Sequence, residues 1–108
     1  MRYDRSDSFK ADYKRLSETE RELFRRAVRV FNEAADRAVS GASNPWPAKL
    51  RVRGVQGADG VFEMTWSFSG PDGRATWEWV VITDPATGER HRAVRWRLIG
   101  GHAIFKKP

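Results

Sequence analysis

The sequence predicts an α+β domain of two layers. Two N-terminal helices should pack on one face of an antiparallel sheet of three to five strands. Three observations carry this expectation. Before Pro47 the apolar residues recur at helical spacing; after it their period drops to two. The later segments are separated by clusters of Gly, Pro and Asp, as hairpin connections are. Four of the five tryptophans (Trp66, Trp77, Trp79 and Trp96) fall on the apolar phase of period-two segments, so one sheet face is built for a core.

Residues 1–5 are a short first strand with Tyr3 as its aromatic. Ser6, Asp7 and Ser8 are good caps, and Phe9, Tyr13 and Leu16 then define a first helix ending near Leu16. Ser17-Glu18-Thr19-Glu20 is a capping box that starts a second helix reaching about Val39. Its stripe contains Leu23, Phe24, Ala27, Val28, Phe31, Ala34, Ala35 and Ala38. Arg21, Arg25, Arg26 and Arg29 cover the other side. Glu18, Glu22, Glu33 and Asp36 interleave with them at helical spacing, as on a solvated face. Gly41 suits the position after the helix. Residues 42–47 are a loop in which two prolines forbid regular structure; its Trp46 is the tryptophan best placed to stack on a base.

Residues 49–55 alternate basic and apolar side chains and read as a strand. Residues 57–60 are turn material. In residues 61–68, Phe62, Met64, Trp66 and Phe68 share one face; Glu63, Thr65 and Ser67 share the other. Gly70-Pro71-Asp72-Gly73 is a hairpin turn. In residues 74–82, Ala75, Trp77, Trp79 and Val81 point inward; Arg74, Thr76 and Glu78 point outward. Residues 84–88 turn again. In the last strand Val94, Trp96 and Leu98 point one way and Ala93, Arg95 and Arg97 the other, before Gly100-Gly101 and His102.

With 108 residues the chain suits one domain, residues 1–108, with one core. Its apolar runs are too short to span a membrane. Arg2, Asp4 and Arg5 leave no room for a signal-peptide apolar region, so a cytoplasmic protein is expected. The absence of cysteine excludes a disulfide scaffold, a thiol nucleophile and a thiolate metal site. A net charge of +6 favours a polyanionic partner, nucleic acid before an acidic protein. No cofactor is expected, and two histidines without a carboxylate cluster argue against a metal site. The face of the sheet left bare by the helices carries Glu63, Thr65, Ser67, Arg74, Thr76, Glu78, Arg95 and Arg97, with His102 at its rim. Lys49, Arg51 and Arg53 extend it. Cross-strand Arg–Glu pairing accounts for the acids but not for the basic excess.

The order of elements, the Gly60–Phe68 strand, the Asp72-Gly73-Arg74-Ala75-Thr76 arm and the Trp96-Arg97-Leu98-Ile99-Gly100-Gly101-His102 end together resemble the RelE/ParE superfamily of bacterial toxin–antitoxin systems. The resemblance covers nearly the whole chain; its specificity lies in the order and spacing of degenerate motifs. It implies a toxin held by a cognate antitoxin. On the RelE side that toxin is a ribonuclease cutting messenger RNA at the ribosome; on the ParE side it attacks DNA gyrase. A member of the fold that binds RNA or protein without catalysis is the third alternative. Carried over residue by residue, the resemblance gives Arg74 the scissile phosphate and His102 the part of general acid. Arg97 supports the phosphate. Lys49, Arg51, Arg53, Arg95 and Lys106 hold the RNA; His102 can serve either proton transfer, and Glu63 or Glu78 is the candidate base after it. Phe105 stands where many members have a tyrosine, and Glu63 and Thr65 where the ribosome-dependent type has lysines. The chemistry fits these residue types. Arginines stabilise charge developing on a phosphorane, and a histidine with a pKa of about 6.5 can move protons at neutral pH.

Overall fold

The computed structural model describes residues 1–67 and 73–100. The order is β1 (Tyr3–Arg5), α1 (Asp7–Arg15), α2 (Glu18–Val39), a 3₁₀ turn (Ala48–Leu50), β2 (Arg53–Gly54), β3 (Val61–Ser67), β4 (Gly73–Thr83) and β5 (Arg90–Gly100). The strands form one five-stranded sheet in the order β1-β5-β4-β3-β2.

Both helices start where their caps require. The Ser6 hydroxyl accepts the amide of Phe9 at 3.0 Å. Ser17 and Glu20 exchange the two bonds of a capping box, at 3.1 and 2.8 Å. The helices pack on the same face of the sheet. Phe9 of α1 and Phe24 and Phe31 of α2 all meet Trp96 of β5, with ring centroids 6.0, 5.3 and 4.9 Å away. Phe31 also meets Trp77 of β4 edge-on at 5.0 Å. Met64, Trp66, Ala75, Val94, Ile99 and Leu50 complete this core. Each large side chain so enclosed stabilises the fold by roughly 1.5–3 kcal/mol.

Four expectations are corrected. First, the sheet is mixed rather than wholly antiparallel. β2 to β5 are antiparallel, but β1 lies parallel to β5, with Tyr3, Asp4 and Arg5 opposite Val94, Arg95 and Trp96. The chain leaves β1 through α1 and α2, and a helical crossover is what parallel pairing needs. Second, residues 49–55 are not a strand. Leu50 is driven into the core by a 3₁₀ turn, and Arg51 exits it with a left-handed φ of 48°. That leaves only Arg53 and Gly54 to pair with β3, so Lys49 and Arg51 do not continue the polar face.

Third, the phase of β5 slips. Trp77 pairs with Trp96, but Thr76 pairs with Leu98, so Arg97 sits in a β-bulge. Trp96 and Ile99 are buried in the core, and Leu98 moves to the Thr76 side of the sheet. The Arg97 carbonyl is not left bare: it accepts the Ser6 hydroxyl at 2.6 Å, next to the Trp96 carbonyl, which accepts the Ser6 amide at 2.9 Å. Fourth, the β3–β4 part of the bare face is not open to solvent. Glu63, Thr65, Ser67, Arg74 and Thr76 are all buried. Trp46 also differs from a free stacking platform: its ring lies 5.0 Å from that of Phe31, at 22°.

Candidate functional site

On β3 and β4, directly opposed residues set the polar face: Glu63 faces Thr76 and Thr65 faces Arg74. One strand further, Glu78 faces Arg95. The Arg97 bulge keeps that side chain on the same face, where strict alternation beyond the slip would have put a core residue. The face therefore brings together Glu63, Arg74, Glu78, Arg95 and Arg97.

They divide by burial. Arg74 is 4% exposed, and its Nη1 donates to the Thr65 hydroxyl. Glu63, equally withdrawn, accepts from Nε of Arg53. A charge at such depth is held only because it is hydrogen-bonded. Arg74 thus ties β4 to β3 through Thr65. Its expected position on the solvent side is corrected by this burial.

The β4–β5 end is accessible. Glu78 is held between two guanidinium groups: Nη1 of Arg97 donates to Oε2 at 2.9 Å, and Nη1 of Arg95 lies 3.5 Å from Oε1. Nε of Arg95 turns the other way, to Asp4 of β1 at 3.2 Å. The side chains of Arg95 and Arg97 retain 44% and 36% of their exposure and Glu78 23%. The Asp4 carboxyl is held below its ordinary value, first by the amide of Arg5, against the opposing effect of burial, and then by Arg95. Two arginines on one carboxylate make a cationic cradle whose anion can be exchanged for a phosphate oxygen.

Of the remaining expected residues, Lys49, Arg51 and Arg53 are exposed at the far side of β3, on and after the 3₁₀ turn. His102 and Lys106, like Phe105 and the Gly70–Asp72 part of the expected turn, lie outside the described residues. His91 pairs with Ile82 on β4, far along β5 from the cradle, and lies 3.5 Å from Glu89. Asp4 is the member of the site that the sequence reading passed over. Its signal was the β1 sequence itself, where a lone acid sits between Tyr3 and Arg5. Compared with protein-family models, curated proteins and solved structures, the chain matches none of them. No helix among the described residues is long and apolar enough to cross a membrane.

Proposed function

We propose that this chain is an endoribonuclease toxin of RelE/ParE type that cuts messenger RNA at the ribosome from the polar face of its sheet. The observation that carries this reading is the Arg97 bulge, which sets two part-exposed arginines around Glu78 on the sheet face away from the helices. An RNA phosphate replaces the carboxylate on Arg97. Glu78, released from that pair but still beside Arg95, accepts the proton of the attacking 2′-hydroxyl. Arg97 and Arg95 carry the charge that develops on the phosphorane. His102 is assigned the proton delivered to the 5′-oxygen on the strength of the family resemblance alone. A cognate acidic antitoxin is the partner that would hold the toxin in check.

The test is cleavage of end-labelled RNA, with and without translating ribosomes, by purified protein and its variants. Arg97→Gln should slow cleavage on the order of 10²-fold, as removal of a transition-state donor does. Glu78→Gln should cost about 10²–10⁴-fold. Arg90→Gln, at the far end of β5, should be neutral. A folded Arg97→Gln protein that cuts at the parental rate would end the nuclease reading. A second reading is favoured by the pairing of Arg53, Arg95 and Arg97 with carboxylates, which suits a protein-docking face. There the target would be DNA gyrase, and the readout is inhibition of supercoiling.

A further inference from the structure

Ser6, the residue between β1 and α1, uses every hydrogen-bonding group it has. Its backbone is extended, with φ −67° and ψ 161°. Its amide donates to the Trp96 carbonyl at 2.9 Å, and its own carbonyl accepts the Lys10 amide at 3.1 Å. Its hydroxyl accepts the Phe9 amide at 3.0 Å and donates to the Arg97 carbonyl at 2.6 Å.

The two bonds to β5 are the unusual pair. In a regular strand consecutive carbonyls turn to opposite neighbours. Here the carbonyls of Trp96 and Arg97 both meet Ser6. At this point the pairing with β4 passes from Trp77–Trp96 to Thr76–Leu98, and Arg97 is the extra residue between them. A bulge takes the extra residue out of the ladder, so its carbonyl needs a donor from elsewhere. The Ser6 hydroxyl is that donor. The plain register that competes with the bulge would set Arg97 opposite Thr76 and put Leu98, in place of Ile99, opposite Ala75. Leu and Ile are nearly equal in volume, so core packing separates the two registers weakly. The bond to the Arg97 carbonyl favours the bulged one. In that register Nη1 of Arg97 reaches Oε2 of Glu78 at 2.9 Å.

We propose that Ser6 is a positioning residue for Arg97. Its hydroxyl clamps the β5 bulge and so sets the guanidinium against Glu78, where the RNA phosphate is received. The effect on cleavage rests on the nuclease reading above; the clamp itself does not. Ser6 meets no reacting atom and acts through the Arg97 backbone.

Three substitutions in the full chain separate the two duties of the hydroxyl. Ser6→Thr keeps both the acceptor for Phe9 and the donor for Arg97. Ser6→Asp keeps a good helix cap but, ionised, has no proton to donate. Ser6→Ala has neither. Ser17→Ala, which removes the cap of α2, is the control. Methyl-to-ring NOEs should link Ile99 to the core tryptophans in the parent, in Ser6→Thr and in Ser17→Ala. In Ser6→Asp and Ser6→Ala, NOEs from Leu98 should grow at the expense of those from Ile99, and the Arg97 side-chain resonances should shift. Single-turnover cleavage of end-labelled RNA, where every variant is folded, should slow on the order of tenfold or more in Ser6→Asp and Ser6→Ala, as for a small misplacement of a catalytic group. Ser6→Thr and Ser17→Ala should keep the parental rate. Adding Ser6→Asp to Arg97→Gln should slow cleavage no further, since the clamp then has no guanidinium to position. The proposal is overturned if folded Ser6→Asp keeps the parental NOEs, cuts at the parental rate, or adds its full effect to that of Arg97→Gln; the serine is then a helix cap alone. If the parent cuts no RNA, the nuclease reading falls, and the NOEs and Arg97 resonances decide the clamp by themselves.

Discussion

Gly73 shows how much one missing methyl group can specify. A Cβ there would lie 2.4 Å from the Trp66 ring, whose Nε1 donates to the Arg74 carbonyl at 2.9 Å. The indole is thus laid flat across the glycine and fastened to the next residue. Gly73→Ala should destabilise the protein by about 1–3 kcal/mol, read as a lowered denaturation midpoint, because a tethered ring cannot swing aside. An unchanged midpoint would mean that the ring moves freely. The sequence predicts a turn at Gly73; the contact with Trp66 has no local signal because it arises from strand pairing. Asp4 carries a second residue-scale prediction. Its carboxyl is depressed in the folded state, first by the Arg5 amide, so its contribution is present above the unfolded value of about 3.9 and lost as pH falls through the folded one. Carbon-detected titration should place Asp4 below an ordinary aspartate. Asp4→Asn should flatten the loss of stability below about pH 4 while changing stability at pH 7 by no more than about 1 kcal/mol, the pair with Arg95 being exposed. A normal titration of Asp4 would refute the bonding described for it.

At the scale of elements, both helices were legible to within a residue or two because their caps and stripes are local. Ser6 and Ser17 look alike in sequence and differ in the fold. Among the described residues the Ser17 hydroxyl serves only its own exposed capping box. That of Ser6 caps α1 and also donates to the Arg97 carbonyl at the bulge. Ser17→Ala should therefore cost about 1 kcal/mol. Ser6→Ala should cost more, about 1–3 kcal/mol, because it strands a partly buried carbonyl as well. Equal costs by urea denaturation would show that the bulge carbonyl finds another partner. The bulge itself could not be read. Arg97 is followed by two apolar residues, Leu98 and Ile99, and either satisfies a core position. Only pairing with β4 decides between them. The same limit applies to β1, since three residues contain no signal for direction. The alternation of residues 49–55 misled for a different reason: burying Leu50 by a tight turn competes with strand pairing, and the loop prolines favour the turn.

At the scale of the whole molecule, the charge of +6 was legible and its disposition was not. The carboxylates of Asp4, Glu18, Glu22, Glu63 and Glu78 are each matched to arginines. The exposed cations without hydrogen-bond or ion-pair partners among the described residues include Arg2, Arg5, Lys10, Lys14, Arg29, Lys49 and Arg90, scattered over β1, the helices, the 3₁₀ turn and the far end of β5. Diffuse charge of this kind draws any polyanion at low salt without specifying where it sits. The candidate RNA site can be separated from that background by its salt dependence. Each phosphate neutralised by a side chain contributes about −0.7 to the slope of log affinity against log salt for a single strand. Arg97→Gln should therefore make the slope for a single-stranded RNA oligonucleotide shallower by about 0.7, and Arg29→Gln, on the opposite side of the sheet, should leave it unchanged. Glu78→Gln removes a carboxylate that competes with phosphate for both cradle arginines and should raise affinity at low salt while slowing cleavage, a combination that a purely structural carboxylate would not produce. If Arg29→Gln alters the slope as much as Arg97→Gln does, the RNA is held by the general field of the protein and the cradle is not its site.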